Sequence, residues 1–86
     1  MKYEITRQGS RIEGYGAHSG YRIRLSTTEP LSGQLWPLHV GVRGSESEDE
    51  LSVPLPDIQL RSLQEAFDFG YECATLYIDA EDRRLP

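Results

Sequence analysis

The chain has 86 residues, of which 37% are apolar and 27% charged, and its net charge is −5. Leu, Ile, Val and Phe together supply 20 residues, slightly more than the share of about 20% below which chains tend to stay disordered. This composition excludes a disordered tail and predicts a single small folded domain over residues 1–86.

Targeting signals are not evident in the sequence. No apolar run approaches the roughly 18–20 residues of a membrane span, and residues 1–5 contain no apolar signal core. The one cysteine, Cys73, cannot form an internal disulfide. We therefore expect a cytoplasmic protein that has no membrane partner.

Charge is unevenly distributed along the chain. Residues 1–44 carry six basic and three acidic side chains, which leaves +3, whereas residues 45–86 carry three basic and eleven acidic side chains, which leaves −8. The overall acidity disfavours nucleic acid as a partner. The basic first part favours contact with an acidic protein surface.

Alternation of apolar and polar residues predicts strands in the first part of the chain. These are expected over residues 2–7, 11–18, 20–27 and 35–43, with a short edge segment over 51–55. Gly14, Gly16 and Gly20 favour a second strand that is bulged or frayed. Pro37 lacks an N–H, so the start of the fourth strand is expected at an edge or before pairing begins.

A long helix is predicted over residues 58–80, with Asp57 as its N-cap. Its sheet-facing stripe consists of Leu60, Leu63, Phe67, Gly70, Tyr71, Ala74 and Ile78. Gly70 in this stripe predicts a close approach to a strand. The predicted fold is α+β, a small antiparallel sheet of three to five strands with one long C-terminal helix packed across one face.

A second apolar set on this helix is formed by Ala66, Phe69, Cys73, Leu76 and Tyr77. A surface helix ordinarily shows one apolar stripe and a broad polar face. Either the loop over residues 27–36 or the segment over 51–55 covers the second set, or a second copy of the chain does. A ligand groove is the third possibility. We interpret the set as a self-association surface.

Basic side chains are expected on the sheet face opposite the helix. Arg22, Arg24, Arg43 and His39 share this parity and form a predicted anion-binding or partner-binding patch. The parity of Tyr3, Tyr21 and Trp36 places them on the buried side. The sheet is therefore expected to lack the exposed aromatic residues on which RNA-binding sheets stack bases.

Few residues in the sequence are candidates for catalysis or metal binding. Cys73 lies inside the predicted helix among apolar residues, which favours an inert buried thiol. His18 and His39 are the only histidines, and no ligand spacing supports a metal site. The acidic run over residues 45–50 lacks the pattern of an EF-hand and is interpreted as a solvated loop. We predict no catalytic residue, no metal and no cofactor.

The order of a small sheet followed by residues 62–67, Ser-Leu-Gln-Glu-Ala-Phe, resembles the sheet-plus-helix part of HicB-like antitoxins. The likeness covers about twenty residues. The glycine-centred turn of that family is replaced here by residues 51–56, so no residue roles are transferred.

These features favour a non-catalytic protein-binding module that forms a homodimer through its helix. A further protein partner is also expected. The first alternative is a nucleic-acid-binding or anion-binding domain, antitoxin-like, that uses the basic sheet face. The second alternative is a small enzyme with a site near His18 or His39.

Overall fold

The computed structural model describes residues 2–44 and 49–84. In chain order the elements are β1 (Tyr3–Gln8), β2 (Arg11–His18), β3 (Tyr21–Thr28), β4 (His39–Arg43), β5 (Leu51–Ser52) and α1 (Leu63–Arg84). The strands form one antiparallel sheet in the order β1-β2-β3-β4-β5. Helix α1 packs against β2, β3 and β4. The predicted α+β fold is confirmed.

Tight turns set the register of the first three strands. Gly9 has φ 62° in the turn between β1 and β2, and Ser19 and Gly20 have φ 52° and 83° in the turn between β2 and β3. Left-handed residues in two-residue turns match the twist of the strands that they join. The resulting pairing directs one set of apolar side chains towards α1, where Ile12, Ile23, Leu25, Val40 and Val42 are buried.

The prediction of a bulged second strand is wrong, because β2 pairs with β3 over all eight residues without interruption. Its glycines instead make room for α1. A Cβ on Gly14 would lie 3.0 Å from the ring of Phe67. A Cβ on Gly16 would lie 3.0 Å from the ring of Tyr71 and 2.9 Å from the carbonyl oxygen of Lys2.

The expected close approach at Gly70 is present in the structure. A Cβ on this residue would lie 3.0 Å from the side chains of Leu25 and Val40. Phe67 and Ile78 are fully buried on the same face of α1, so this stripe forms the helical half of the core. Within the described residues, no helix is both long and apolar enough to cross a bilayer.

The fourth and fifth strands are shorter than expected. Residues 35–38 are not part of β4, because the Pro37 carbonyl accepts the hydroxyl hydrogen of Thr27 at 2.5 Å and Pro37 has no N–H to pair. The N–H of Trp36 donates to the carbonyl of Leu60 at 2.8 Å. The predicted edge segment over 51–55 is reduced to Leu51–Ser52, since Pro54 and the residues beyond it lie outside any ladder.

The helix begins five residues later than predicted, at Leu63, and it ends at Arg84 rather than residue 80. Asp57 is therefore not its N-cap. The hydroxyl oxygen of Ser62 accepts the N–H of Glu65 at 3.0 Å, and these two residues form the Ser-x-x-Glu pattern of a capping box. The carbonyl of Leu60, before this cap, accepts the N–H of Trp36.

We expect Ser62→Ala to reduce the free energy of unfolding by about 1 kcal/mol, because it removes an acceptor from the first turn of α1. Asp57→Ala is the matched control and should change stability little. Urea denaturation followed by circular dichroism measures both. A larger loss for Asp57→Ala would contradict the assignment of the cap.

Candidate functional site

The second apolar set of the helix is only partly accessible. Ala66 is fully buried within its own subunit, so it does not belong to a self-association surface, contrary to the prediction. Phe69, Cys73 and Tyr77 are half-buried and pack against the core. Leu76 is 63% exposed.

Loop residues extend this apolar surface beyond the helix. Phe69 lines a depression of about 200 Å³ together with Trp36, Leu38, Leu55 and Ile58. The segments before β4 and before α1 thus border Phe69 but leave Leu76 open to solvent. We call the surface formed by Phe69, Cys73, Leu76, Tyr77, Trp36, Leu38, Leu55 and Ile58 the helix flank.

Sequence reasoning missed the contribution of the loop residues to the helix flank. Apolar residues recur among the prolines of the segments before β4 and before α1, such as Trp36 and Leu38 on either side of Pro37. This pattern could have indicated that the two segments contribute to an apolar surface. Their position beside α1 depends on the hydrogen bond between Trp36 and Leu60, which no local pattern indicates.

Cys73 is a half-buried free thiol within the helix flank. Desolvation by burial, followed by the charge of Glu72, raises the pKa of this thiol. Because the thiolate is the reactive form, Cys73 is held in its unreactive state. It contributes to the surface as a small apolar side chain.

The opposite face of the sheet, which we call the open face, carries the predicted basic patch. Arg22 lies directly opposite Arg43, Arg24 opposite Gly41, and Ser26 opposite His39. Directly paired residues in an antiparallel sheet point to the same side. The register therefore brings Arg22, Arg24, His39 and Arg43 together on the open face.

Three nitrogen atoms of the Arg24 guanidinium donate hydrogen bonds to two carboxylates. Its Nε and Nη2 donate to the two carboxylate oxygens of Glu50 at 2.8 and 2.7 Å, and its Nη1 donates to Glu13 at 3.0 Å. These bonds raise the pKa of Arg24, with Glu50 as the main cause, and Arg24 in turn lowers the pKa of Glu50. Arg24 is therefore a structural member of the patch.

Glu50 was interpreted as part of a solvated loop, and this interpretation is wrong. Its carboxylate crosses β4 above Gly41 to reach Arg24 on β3, and a Cβ on Gly41 would collide with it. Gly41 in the middle of β4 was the available signal, since a strand glycine often marks a close approach. The rest of the acidic run, residues 45–48, lies outside the described residues.

Tyr15 is an exposed aromatic residue on the open face that sequence reasoning missed. It lies opposite Glu4 on one side and Arg24 on the other, and it is 45% exposed. Tyr15 follows Ile12 by three residues, so the alternation of a strand would have placed it on the face opposite Ile12. An open depression of about 380 Å³ is lined by Tyr15, Ile23, Glu50 and the three arginines of the patch.

The two histidines lie on opposite faces of the sheet. His18 Nε2 is 2.9 Å from Asp79 Oδ1 and joins the end of β2 to α1, whereas His39 is exposed on the open face. Among the described residues, no group of three or more potential ligands could hold a metal ion. Neither histidine lines the depression beside Phe69 or the depression beside Tyr15.

A polar network ties β1 to α1. The hydroxyl of Tyr3 donates to Asp68 at 2.7 Å, and the Gln64 amide donates to the other oxygen of Asp68 at 2.8 Å. The bonds from Gln64 and Tyr3 lower the pKa of Asp68, while burial raises the pKa of Tyr3 to about 12. This carboxylate is thus an ionised structural acceptor.

Comparisons with protein-family models, with curated proteins and with solved structures find no match to the chain. Evidence about function therefore comes from the helix flank and the open face themselves.

We expect Gly41→Ala to lower the free energy of unfolding by about 1 kcal/mol, because the new methyl group displaces Glu50 from a partly exposed ion pair. Glu50→Ala should have a similar effect. The double variant should be no less stable than Glu50→Ala alone, since the collision is gone. Urea denaturation of the four proteins measures this coupling, and additive losses would contradict it.

The Arg24–Glu50 pair also predicts a pH dependence. The pKa of Glu50 is lowered from 4.5 in the folded protein, so its contribution to stability is present above about pH 4.5 and disappears as pH falls through the folded pKa. Between about pH 6 and pH 3, the wild type should lose more stability than Glu50→Gln. Thermal unfolding checks this, with Glu4→Gln as the control that should follow the wild type.

Proposed function

We propose that the chain is a non-catalytic protein-binding module that forms a homodimer through the helix flank. The observation that carries this proposal is the 63% exposure of Leu76 on the same stripe of α1 as Phe69 and Cys73. Large contiguous apolar patches, of more than a few hundred Å², are uncommon on monomers unless they serve a contact.

A second copy fits the shape of this surface. Leu76 follows Phe69 by seven residues, which is about 10.5 Å along a helix. A two-fold axis near Cys73 would place two α1 helices antiparallel and set Leu76 of each copy above the depression beside Phe69 of the other. The exposed leucine and the recess then complement each other twice, as an isologous contact requires.

The composition of the helix flank also favours an apolar contact. All eight of its residues are uncharged. Asp57 also lines the depression beside Phe69 and is exposed, so it is the charged group that the proposed contact must leave in solvent. Glu65 and Glu72 are exposed residues on the same side of α1 as Leu76, so the proposed contact must leave both carboxylates in solvent. A contact of this kind is retained at high salt, because screening weakens only charge interactions.

The size of the domain supports the same conclusion. A chain of 86 residues buries a smaller fraction of its surface than a larger domain, and oligomerisation is a common means by which small domains gain buried apolar area. Dimerisation through the helix flank would bury Leu76 and the exposed part of Phe69 without altering the internal core.

We expect Leu76→Asp to convert the dimer to a monomer, because the charge would have to be buried at the centre of the contact. Sedimentation velocity at about 100 μM, well above the dissociation constant of most stable dimers, measures the change. Leu31→Asp is the matched control, since Leu31 is 76% exposed in the loop before β4 and lies outside the helix flank.

Circular dichroism should show the same helix content in both variants, because both side chains are exposed in the monomer. A wild type that sediments as a monomer at this concentration would refute the proposal. So would a dimer that survives Leu76→Asp.

A further inference from the structure

The two edges of the sheet differ in how well they are protected against further pairing. β5 is only two residues long and is followed by Pro54 and Pro56, which are common ways to end a sheet. β1 has six residues, contains no proline and pairs with β2 without a bulge. Helix α1 packs against β2, β3 and β4 rather than over the outer edge of β1. Among the described residues, β1 is therefore the edge at which a further strand can pair.

The turn between β1 and β2 determines which backbone groups of β1 face outward. Gln8 closes this two-residue turn, so its backbone bonds to β2. Hydrogen-bonded and non-hydrogen-bonded pairs alternate along an antiparallel ladder, so Thr6 and Glu4 also bond to β2. The N–H and C=O groups of Ile5 and Arg7 therefore point away from the sheet. Within residues 2–44 and 49–84, no backbone group is bonded to them on this side.

Side chains along this edge indicate the chemistry of a strand that would fit there. Ile5 lies on the helix side of the sheet, as Tyr3 does, and is 39% exposed. Glu4 lies on the open face and is exposed, and the described part of the chain holds no ion pair of its carboxylate. Arg7 is already paired with Glu29. The edge thus offers an uncovered apolar side chain on one face and an unpaired carboxylate on the other.

We propose that β1 binds an extended segment of a partner protein, antiparallel to β1, in which basic and apolar residues alternate. The backbone of this segment bonds to the outward groups of Ile5 and Arg7 and adds a strand to the sheet. Its apolar side chains cover Ile5, and a basic side chain lies opposite Glu4, where a pair of opposite charges stabilises a sheet. The net charge of −5 also attracts a basic segment.

A second copy of β1 fits this edge less well. Two antiparallel copies related by a two-fold axis pair residues of the same face. On the face of Glu4, the other side chains of β1 are those of Thr6 and Gln8, and neither carries a charge. Lys2, before β1, would lie opposite Glu4 only if pairing were limited to residues 2–4. Self-pairing along the strand therefore leaves the carboxylate without a basic neighbour.

The proposal extends the protein-binding function proposed above by naming a partner, but it does not depend on the homodimer. β1 is separated from β4 by two strands, whereas the helix flank lies beside the segment before β4. Leu76→Asp should therefore leave binding at β1 unchanged. Loss of either interaction can be measured without the other.

NMR titration of the ¹⁵N-labelled protein with a heptapeptide probe tests the proposal. The probe has blocked ends and alternates lysine with valine, and it should shift the amide signals of residues 4–8 in a saturable manner. At saturation, hydrogen exchange should slow at the amides of Ile5 and Arg7. The amides of Glu4 and Thr6 should be protected already in the free protein, because they bond to β2.

Methylated probes separate backbone pairing from a general attraction between charges. In the antiparallel arrangement the residue opposite Ile5 is a valine, so the valine amides face β1. N-methylation of the valine amides should therefore abolish binding, whereas N-methylation of the lysine amides should leave it intact. A probe with glutamate in place of lysine should bind more weakly than the lysine probe.

Substitutions in β1 test the protein side of the contact. Ile5→Pro removes an outward N–H without removing a bond to β2, so circular dichroism should show an unchanged fold while probe binding is lost. Glu4→Lys should weaken binding of the lysine probe about threefold or more and strengthen binding of the glutamate probe. Glu72→Lys makes the same change in net charge at an exposed position of α1, and it should retain the preference for the lysine probe.

Four outcomes would overturn the proposal. They are the absence of a saturable shift at about 5 mM probe, equal effects of the two methylations, an effect of the lysine methylation alone, and an unchanged probe preference in Glu4→Lys. A Leu76→Asp protein that sediments as a dimer, and becomes a monomer when Ile5→Pro is added, would show that a second copy occupies the edge instead of a partner segment.

Discussion

The fold depends on the contact between two aromatic rings of α1 and two glycines of β2. Phe67 packs over Gly14 and Tyr71 over Gly16, while Gly70 lies between them against β3 and β4. Because glycine has no Cβ atom, these glycines in the helix and in the sheet allow the two layers to approach closely. The ring of Tyr3 completes this contact at the edge of the sheet, 5.8 Å from the ring of Phe67.

This close contact also determines which surfaces remain outside. Because the stripe through Phe67, Gly70 and Ile78 faces the sheet, Phe69 and Leu76 lie together on another side of the helix. The segments before β4 and α1 border only the Phe69 end of that side, and Leu76 is exposed. Within residues 2–44 and 49–84, no second layer covers the far side of the sheet. The open face and the helix flank are thus two consequences of one packing arrangement.

The open face is organised by charge rather than by apolar burial. Arg24 lies between Glu13 and Glu50, and this network holds the residue before β5 against the rest of the sheet. Gly41 is required for it, since any side chain there would occupy the path of Glu50. Arg22 and Arg43 lie directly opposite each other on the same face.

Much of the architecture was predictable from local pattern. Period-two alternation identified β1 and β3 nearly to their ends, and helical periodicity identified the stripe that packs on the sheet. The bounds of β2 were predicted as well, but its regular pairing was not. The capping box of Ser62 and Glu65 was also present in the sequence, but Asp57 after a proline gave a competing signal. The structure shows Ser62 as the cap, since its hydroxyl oxygen accepts the N–H of Glu65. The carbonyl of Leu60 just before it bonds to Trp36, 24 positions away in the chain.

The sequence by itself determined the fold class, the buried face of the helix and the parity that places Arg22, Arg24 and Arg43 on one face, because these follow from repeats of two and 3.6 residues. Only the tertiary structure decided that Arg24 is bound by Glu50, that Tyr15 lies exposed beside the arginines, and that Ala66 is buried while Leu76 is not. These properties depend on contacts between segments that are distant in the sequence. Such contacts produce no regular repeat in the sequence, so the sequence pattern does not reveal them.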